Sequence, residues 1–232
     1  MFKVNRNANE VKDFEGNGNT FLNKSGIYDD VIIKRAIYDE AANGGAVINF
    51  FVSHKGEDQI IYGDLRVANK GGVPNKIGTE LFNELLVILD LDGLEDPIEE
   101  ELPIGKKKAL KDVAVFEEIE DAEITIKILN KYSVWNNNIM EKTTIAKFYR
   151  NSDKATAAEI LLEEENPGEV ELGAKYAKDQ EYAGNVKYED GLTEEQVNAW
   201  IKAKRPKGTA GATGATTTKK PSFRKPAKKF GK

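Results

Sequence analysis

The chain has no cysteine, and His54 is the only histidine among its 232 residues. Without cysteine there are no disulfides, thiolate metal sites or cysteine nucleophiles, and a single histidine excludes the usual catalytic triads and zinc sites. His54 lies at a predicted strand end beside a turn, where an exposed and non-catalytic side chain is expected. We therefore predict a protein that is not an enzyme and that needs neither a cofactor nor a metal.

Long apolar runs are also missing. No stretch approaches the ~18 apolar residues that cross a bilayer, and residues 1–6 lack the apolar region of a secretory signal. The absence of cysteine is typical of a reducing compartment. These absences predict a soluble cytoplasmic protein with no membrane partner.

Charge is sorted sharply along the chain. Residues 202–232 carry nine Lys and two Arg but no acidic residue, so that they sum to +11, whereas residues 1–201 sum to −16. The formal net charge of −5 therefore describes an acidic body with a basic end. Such asymmetry predicts a polyanion as partner, or a basic end that folds back onto the protein's own acidic surface.

Composition divides the chain into four parts. Residues 1–24 are polar and Asn-rich and predict an N-terminal arm, and residues 25–150 carry the β pattern of a core. Residues 151–206 are acidic and helix-prone, and residues 207–232 are rich in Gly, Ala, Thr and Lys. We expect the last part to be a flexible, disordered basic tail.

The core pattern predicts a mainly β fold with a few helices. Three strands joined by turns at 43–45 and 55–58 form an antiparallel meander, and a helix is expected over 77–90 with Thr79 as its cap. Further strands are predicted at 112–119, 123–135 and 139–150.

Three strands followed by a helix and more strands is the order of elements in an oligonucleotide/oligosaccharide-binding (OB) barrel. We therefore predict an OB-like antiparallel barrel of five to six strands, followed by a helical C-terminal extension. Thr193 begins a capping box there, and Trp200 is expected to dock the last helix on the core.

Other motifs are interpreted as structural. The acidic clusters 99–101 and 163–165 lie in a predicted loop and at a helix end, where solvated surface is the expected role. The glycine-rich loop 71–78 precedes a helix but lacks the Gly-Lys-Ser/Thr step of a phosphate-binding loop. We expect it to be an ordinary connection between a strand and a helix.

The strands mix aromatic and basic side chains in a way that suits single-stranded nucleic acid. Ile124, Ile126 and Ile128 share one face of a predicted strand, and Lys127, Lys131 and Trp135 share the other. Exposed rings can stack on bases while cations contact phosphates. The candidate nucleic-acid-binding residues of the core are Lys34, Arg35, Tyr38, Tyr62, Arg66, Lys127, Lys131, Tyr132, Trp135, Lys142, Lys147, Tyr149 and Arg150, and those of the tail are Lys219, Lys220, Arg224, Lys228 and Lys229.

A structural interpretation of the same residues stays open, because aromatics favour strands regardless of function. The leading prediction is non-catalytic coating of single-stranded DNA with little sequence preference. The alternative is an interaction or structural protein whose acidic body contacts other proteins while its tail anchors it to nucleic acid. Oligomeric state and a preference for DNA over RNA remain open at this point.

Several strings resemble a known family. Residues 2–11 (FKVNRNANEV), 25–29 (SGIYD), 76–78 (KIG), 101–107 (ELPIGKK) and 204–208 (KRPKG) are similar to those of single-stranded-DNA-binding proteins of tailed bacteriophages. The resemblance implies an OB-fold core that acts in phage DNA replication or recombination in the host cytoplasm, possible protein partners being replication or recombination proteins.

One departure from that class lies at the C-terminus. Many replication proteins of this kind end in an acidic tail with a terminal aromatic residue that recruits partners. Here Phe230 is flanked by Lys228, Lys229 and Lys232. We therefore expect a tail that assists DNA binding or masks the acidic body, rather than an acidic recruiting tip.

Overall fold

The computed structural model describes residues 22–104 and 109–204, apart from the side chains of residues 62–64 and 104. Nearly all of the predicted N-terminal arm and the predicted tail lie outside these residues. The strands are β1 (Gly26–Glu40), β2 (Ala46–His54), β3 (Glu57–Ala68), β4 (Ile98–Ile104), β5 (Ala109–Phe116), β6 (Ala122–Trp135), β7 (Asn138–Arg150) and β8 (Lys187–Tyr188). The helices are α1 (Lys76–Ile88), α2 (Ala157–Glu165), α3 (Ala174–Gln180) and α4 (Glu194–Lys204), with a short 3-10 turn at Glu117–Ile119. The predicted mainly β fold with a helical extension is confirmed.

Strands β1, β2 and β3 form the predicted meander. Each is antiparallel to the next, with turns at Gly44 and at Lys55-Gly56 whose positive φ angles suit tight hairpin connections. The two ends of the long β1 then take different partners, β6 near its beginning and β5 near its end. Strand β1 is therefore the centre of the sheet.

Irregularities in β1 curl the sheet into a half-barrel. Its pairing shifts register between Ile33 and Arg35 against β2, and between Tyr28 and Val31 against β6, where Asp30 has a φ of 55°. Such bulges bend a strand and increase its twist. Strand β7 pairs with β6 along its whole length, so the hairpin β6–β7 forms one wall of the curl.

The core fills the concave side of this half-barrel. Phe50 of β2 and Phe148 of β7 are fully buried and meet edge to face, with ring centroids 5.8 Å apart. Leu85 and Ile88 of α1 close the same cluster. Aromatic pairs of this geometry contribute about 0.5–1.5 kcal/mol beyond their buried area, so that opposite walls of the sheet are joined through the interior.

Helix α1 begins as the sequence predicts but with a different cap. The Asn75 side chain, not that of Thr79, accepts a hydrogen bond from the Gly78 amide, while the Thr79 hydroxyl bonds the Val67 carbonyl. Gly78 lies directly against the backbone of Arg66, where any Cβ would collide with the carbonyl. A glycine is required here for the helix to approach β3.

Three predictions, about separate parts of the chain, are wrong. Residues 99–101 belong to β4, not to a loop, because β4 pairs with β5 over its whole length. Helix α3 lies in a segment with no predicted element after Pro167. His54 is 4% exposed and packs edge to face on Tyr28, so the expectation of an exposed histidine fails.

The extension has capped helices and packs against the core partly through an aromatic contact. Thr156 and Glu159 form a capping box at the start of α2, and Thr193 and Gln196 form the predicted one at α4. Trp200 of α4 meets the Tyr132 ring edge to face, with centroids 6.1 Å apart. The predicted docking of α4 by Trp200 is confirmed.

Candidate nucleic-acid interface

The hairpin β6–β7 presents two different faces. From Ile128 opposite Ile145 to Trp135 opposite Asn138 the register is unbroken, so alternate residues lie on opposite sides. Ile128, Asn130 and Tyr132 are buried, whereas the residues between them are at least partly exposed. The predicted division of β6 into an apolar face and a face with Lys127, Lys131 and Trp135 is confirmed.

Three lysines lie side by side on the open face. Lys131 of β6 pairs in register with Lys142 of β7 on one side and with Lys187 of β8 on the other. We call these three residues the lysine row. Like charges directly opposite one another destabilise a sheet, so this arrangement is unfavourable without an anionic neighbour.

Glu189 is an anionic neighbour of the lysine row. Its carboxylate forms a 2.8 Å ion pair with Lys187. The pKa of Glu189 is lowered because Lys187 donates to it and because the charges of Lys187, Lys131 and Lys142 favour the carboxylate, although some desolvation opposes this. The three lysines therefore act together on Glu189 as a group of positive charges.

Trp135 extends the same face to the hairpin tip. Its side chain is 68% exposed, and Met140, on the same face, is 47% exposed. Asn136 and Asn137 adopt positive φ angles in the turn, which Asn tolerates better than most residues and which explains the run of three asparagines. An open indole thus lies four residues along β6 from Lys131.

The other end of this face is covered by the extension. Asp179 of α3 lies 3.0 Å from Lys147 and 3.4 Å from both Lys127 and Lys175. We call Lys127, Lys147, Lys175 and Asp179 the covered cluster. Burial acts to raise the pKa of Asp179, but hydrogen bonds from Lys147 and Tyr149 and the nearby lysine charges outweigh it, so that the pKa lies well below its usual range.

Two predicted stacking residues are not available for bases. Tyr149 is fully buried beneath α3, where it packs edge to face on Tyr176 and donates a 2.9 Å hydrogen bond to Asp179. Tyr132 is 6% exposed between Tyr188 and Trp200. The expectation that both rings line an open groove is therefore wrong, because elements that follow the core in sequence pack over them.

Three predicted basic residues form ion pairs outside the hairpin face. Lys34 contacts Asp121 at 2.7 Å, Arg35 contacts both Glu100 and Glu120, and Arg150 contacts Asp153. The pKa of Arg35 is raised because Glu100 accepts its hydrogen bonds, which outweighs the opposing effect of burial, and because both carboxylates favour its charge. These side chains join elements of the body to one another.

The remaining predicted residues are dispersed. Tyr38 is half-buried, packs on Phe116 and lines a separate depression, and Arg66 is exposed on β3 beside α1. The Tyr62 side chain and the tail residues Lys219, Lys220, Arg224, Lys228 and Lys229 lie outside the described part of the structure. Of the predicted set, the structure brings together Lys131, Lys142 and Trp135 on one open surface, and Lys127 and Lys147 beside it.

Sequence reasoning missed Lys187, Met140 and Asp179. Lys187 joins the row through the two-residue strand β8, which is too short to leave a period in the sequence. Met140 is detectable, since its position two residues before Lys142 assigns it to the same face. Asp179 shows only a local pair with Lys175, because its other partners lie 30 residues or more away in β6 and β7.

Other kinds of site are not supported by the described residues. They contain no group of three or more His, Asp or Glu side chains arranged to hold a metal ion. No helix in the described ranges has the length and apolar character needed to span a bilayer. Neither a protein-family model nor a curated protein matches the chain.

Proposed function

We propose that the protein binds single-stranded DNA with little sequence preference, through the open face of the hairpin β6–β7. Trp135 stacks on a base, and Lys131, Lys142 and Lys187 contact the phosphates on either side. The observation that carries the proposal is the three-strand lysine row on the same face as an indole that is 68% exposed. Aromatic stacking with cationic backbone contacts is the usual chemistry of binding without sequence preference.

The unfavourable charge of the row supports a ligand that neutralises it. Lysines in register repel one another, and the charges of all three act on the Glu189 carboxylate. Phosphates would relieve this repulsion while releasing counterions from the DNA. Because the body is acidic overall, its contacts with DNA are confined to the lysine row and Trp135, and the body binds few phosphates.

The half-barrel is proposed to be of the OB type. A long bulged β1 pairs with β2 and with β6, and α1 follows the third strand, as in that fold. The hairpin β4–β5 is then an insertion between α1 and the fourth barrel strand, β6. No ladder joins β3 to β7 within the described residues, although the two strands are in contact there. In this proposal, side-chain packing takes the place of a closing ladder.

The biological setting is proposed from the resemblance to phage single-stranded-DNA-binding proteins. It gives a role in phage DNA replication or recombination in the cytoplasm of the host. The alternative is a protein whose basic C-terminus alone anchors it to nucleic acid while the body binds other proteins.

Tryptophan fluorescence separates these possibilities. The chain has two tryptophans, Trp135 and Trp200, so a full-length Trp200→Phe variant reports on Trp135 alone. Titration with oligo(dT) should quench this emission, and duplex DNA should quench it less. In the matched Trp135→Ala variant, Trp200 should report little quenching, and affinity should fall about 5- to 150-fold, as expected for the loss of one stacked base.

The opposite results have clear meanings. If Trp135 emission is unchanged at saturating oligo(dT), the hairpin does not bind bases. If affinity is also unaffected by Trp135→Ala and is lost when the tail lysines are replaced by glutamine, the anchoring alternative is correct.

A further inference from the structure

A depression of about 620 Å³ lies on the sheet and is lined by residues outside the hairpin β6–β7. All of its lining residues come from β1, β2, β3 and β5. Its apolar lining includes Ile37, Val47, Ile60 and Val113, and Ile37 belongs to a small apolar cluster with Leu102 and Val115 that is separate from the main core. This volume lies in the range of pockets that hold small ligands, about 300–1,000 Å³.

The rim of this depression is acidic. Asp39, Glu40 and Asp112 line it and are exposed, against one basic residue, Lys111. No ion pair among the described residues involves any of the three acids, although Glu40 accepts a hydrogen bond from Tyr38. We call this surface the acidic depression.

A neighbouring acid strengthens the negative field. Asp112 of β5 lies directly opposite Glu101 of β4 in register, and both side chains are exposed. Two carboxylates at this position repel each other and destabilise the hairpin β4–β5. The surface is therefore suited to a cationic partner that also carries an apolar group.

The chain itself contains a segment of this chemistry. Residues 219–232 read KKPSFRKPAKKFGK, with seven basic residues, no acidic residue and two phenylalanines. We propose that this segment, the C-terminal basic segment, docks in the acidic depression of its own molecule. One phenylalanine occupies the apolar floor, and the flanking Lys and Arg side chains pair with the acidic rim.

The length of the chain permits this contact. The described residues end at Lys204, so 15 residues lead to Lys219. The phenylalanines Phe223 and Phe230 lie 19 and 26 residues beyond Lys204, and extended stretches of those lengths span at most about 65 and about 90 Å. Half the circumference of a compact body of this size, ~40 Å across, is about 63 Å. The docking does not depend on DNA binding, and it goes beyond the proposed function.

A spin label tests the proposal on the full-length protein. Because the chain lacks cysteine, Ser222→Cys gives a single attachment point for a nitroxide within the segment. Amide signals of residues 38–40, 47 and 112–114 should lose intensity in isotope-labelled protein. The loss should be reversed in Asp39→Asn/Glu40→Gln/Asp112→Asn and in about 1 M salt, where the screening length falls to about 3 Å.

A matched variant controls for net charge. Glu164→Gln/Glu165→Gln/Glu169→Gln also removes three exposed acids, and it should leave the intensity losses unchanged. Equal losses in the depression variant, or losses spread evenly over the surface, overturn the proposal. If equally strong losses arise when spin-labelled protein is mixed with isotope-labelled protein that carries no nitroxide, the segment docks on another copy, and docking within one molecule is wrong.

Discussion

The Tyr149 hydroxyl donates a 2.9 Å hydrogen bond to the Asp179 carboxylate, which joins the last core strand to a helix 30 residues later. Lys147 donates to the same carboxylate at 3.0 Å. Asp179 is 8% exposed and separates Lys147 from its register partner Lys127. A single buried carboxylate thus stabilises both the fold of the extension and the charge of the strands beneath it.

Replacing Asp179 by Asn should lower the free energy of unfolding by about 2–3 kcal/mol. The substitution removes charge-assisted hydrogen bonds and leaves two lysines facing each other without an anion. Urea unfolding at neutral pH measures the loss. Glu181→Gln, at an exposed position two residues away, is the control and should change stability by less than about 0.5 kcal/mol. Equal stability of both variants would contradict a structural role for Asp179.

Acid should weaken the wild-type protein through the same residue. Because the pKa of Asp179 lies well below the ~3.9 of an unfolded chain, its contribution is fully present above that unfolded value. The contribution is lost as pH falls from about 4 toward the folded pKa. The stability difference between wild type and Asp179→Asn should therefore shrink below about pH 4, as measured by urea unfolding across pH. A constant difference would show that the pKa of Asp179 is the same in the folded and the unfolded protein, so that its charge does not stabilise the fold.

Two tyrosines should ionise only at strongly alkaline pH. Burial raises the pKa of Tyr132 and of Tyr149, and hydrogen bonds to Glu141 and Asp179 raise them further. Their neutral forms stabilise the fold below the unfolded value of about 10, and this contribution is lost as pH rises above it. Ultraviolet absorbance should show a late tyrosinate step that decreases in Tyr132→Phe and in Tyr149→Phe. The step should be absent in urea, where the rings are solvated.

Substitution of Gly78 should destabilise the fold far more than substitution of Gly93, which lies in open space. A Cβ at Gly78 would collide with the backbone carbonyl of Arg66, which belongs to a paired strand and has little freedom to move. We expect Gly78→Ala to destabilise by about 3 kcal/mol, the upper end for overpacking. Gly93→Ala, where no atom lies within 4 Å of the added group, should stay within about 0.5 kcal/mol of wild type in thermal unfolding.

Neutralising the lysine row should reduce the salt dependence of DNA binding. In Lys131→Gln/Lys142→Gln, the slope of log affinity against log salt concentration should fall by up to about 0.7 for each phosphate that the variant no longer binds. Lys55→Gln/Lys70→Gln removes two exposed lysines elsewhere and should leave the slope unchanged. If both variants behave alike, the body does not bind phosphates.

Much of the core was predictable because its patterns are local. The alternation in β6 assigns Lys127, Lys131 and Trp135 to one face, and the asparagine run locates the turn. The capping box at Thr193 locates the start of α4. Each of these signals lies within a few residues, where backbone periodicity and side-chain hydrogen bonds decide the structure.

The errors arise where distant segments pack on a strand. The alternation of side chains along a strand shows which residues share a face of the hairpin β6–β7. It does not show that α3 covers Tyr149 while Trp135 stays exposed. In the same way, His54 is buried by Tyr28, which is 26 residues earlier in the chain. The residues of the candidate site were therefore predictable in kind, but which of them solvent can reach was not.

The contacts of helix α3 and strand β8 with the core also determine where the chain can be truncated. A fragment that ends at Arg150 would expose the Tyr149 and Tyr132 rings and deprive Lys127 and Lys147 of their shared counter-ion. The extension thus covers buried rings of the core, and its contacts with the core reach Trp200 of α4. Any shortened form intended for crystallisation or expression should keep residues through Lys204 to remain in solution.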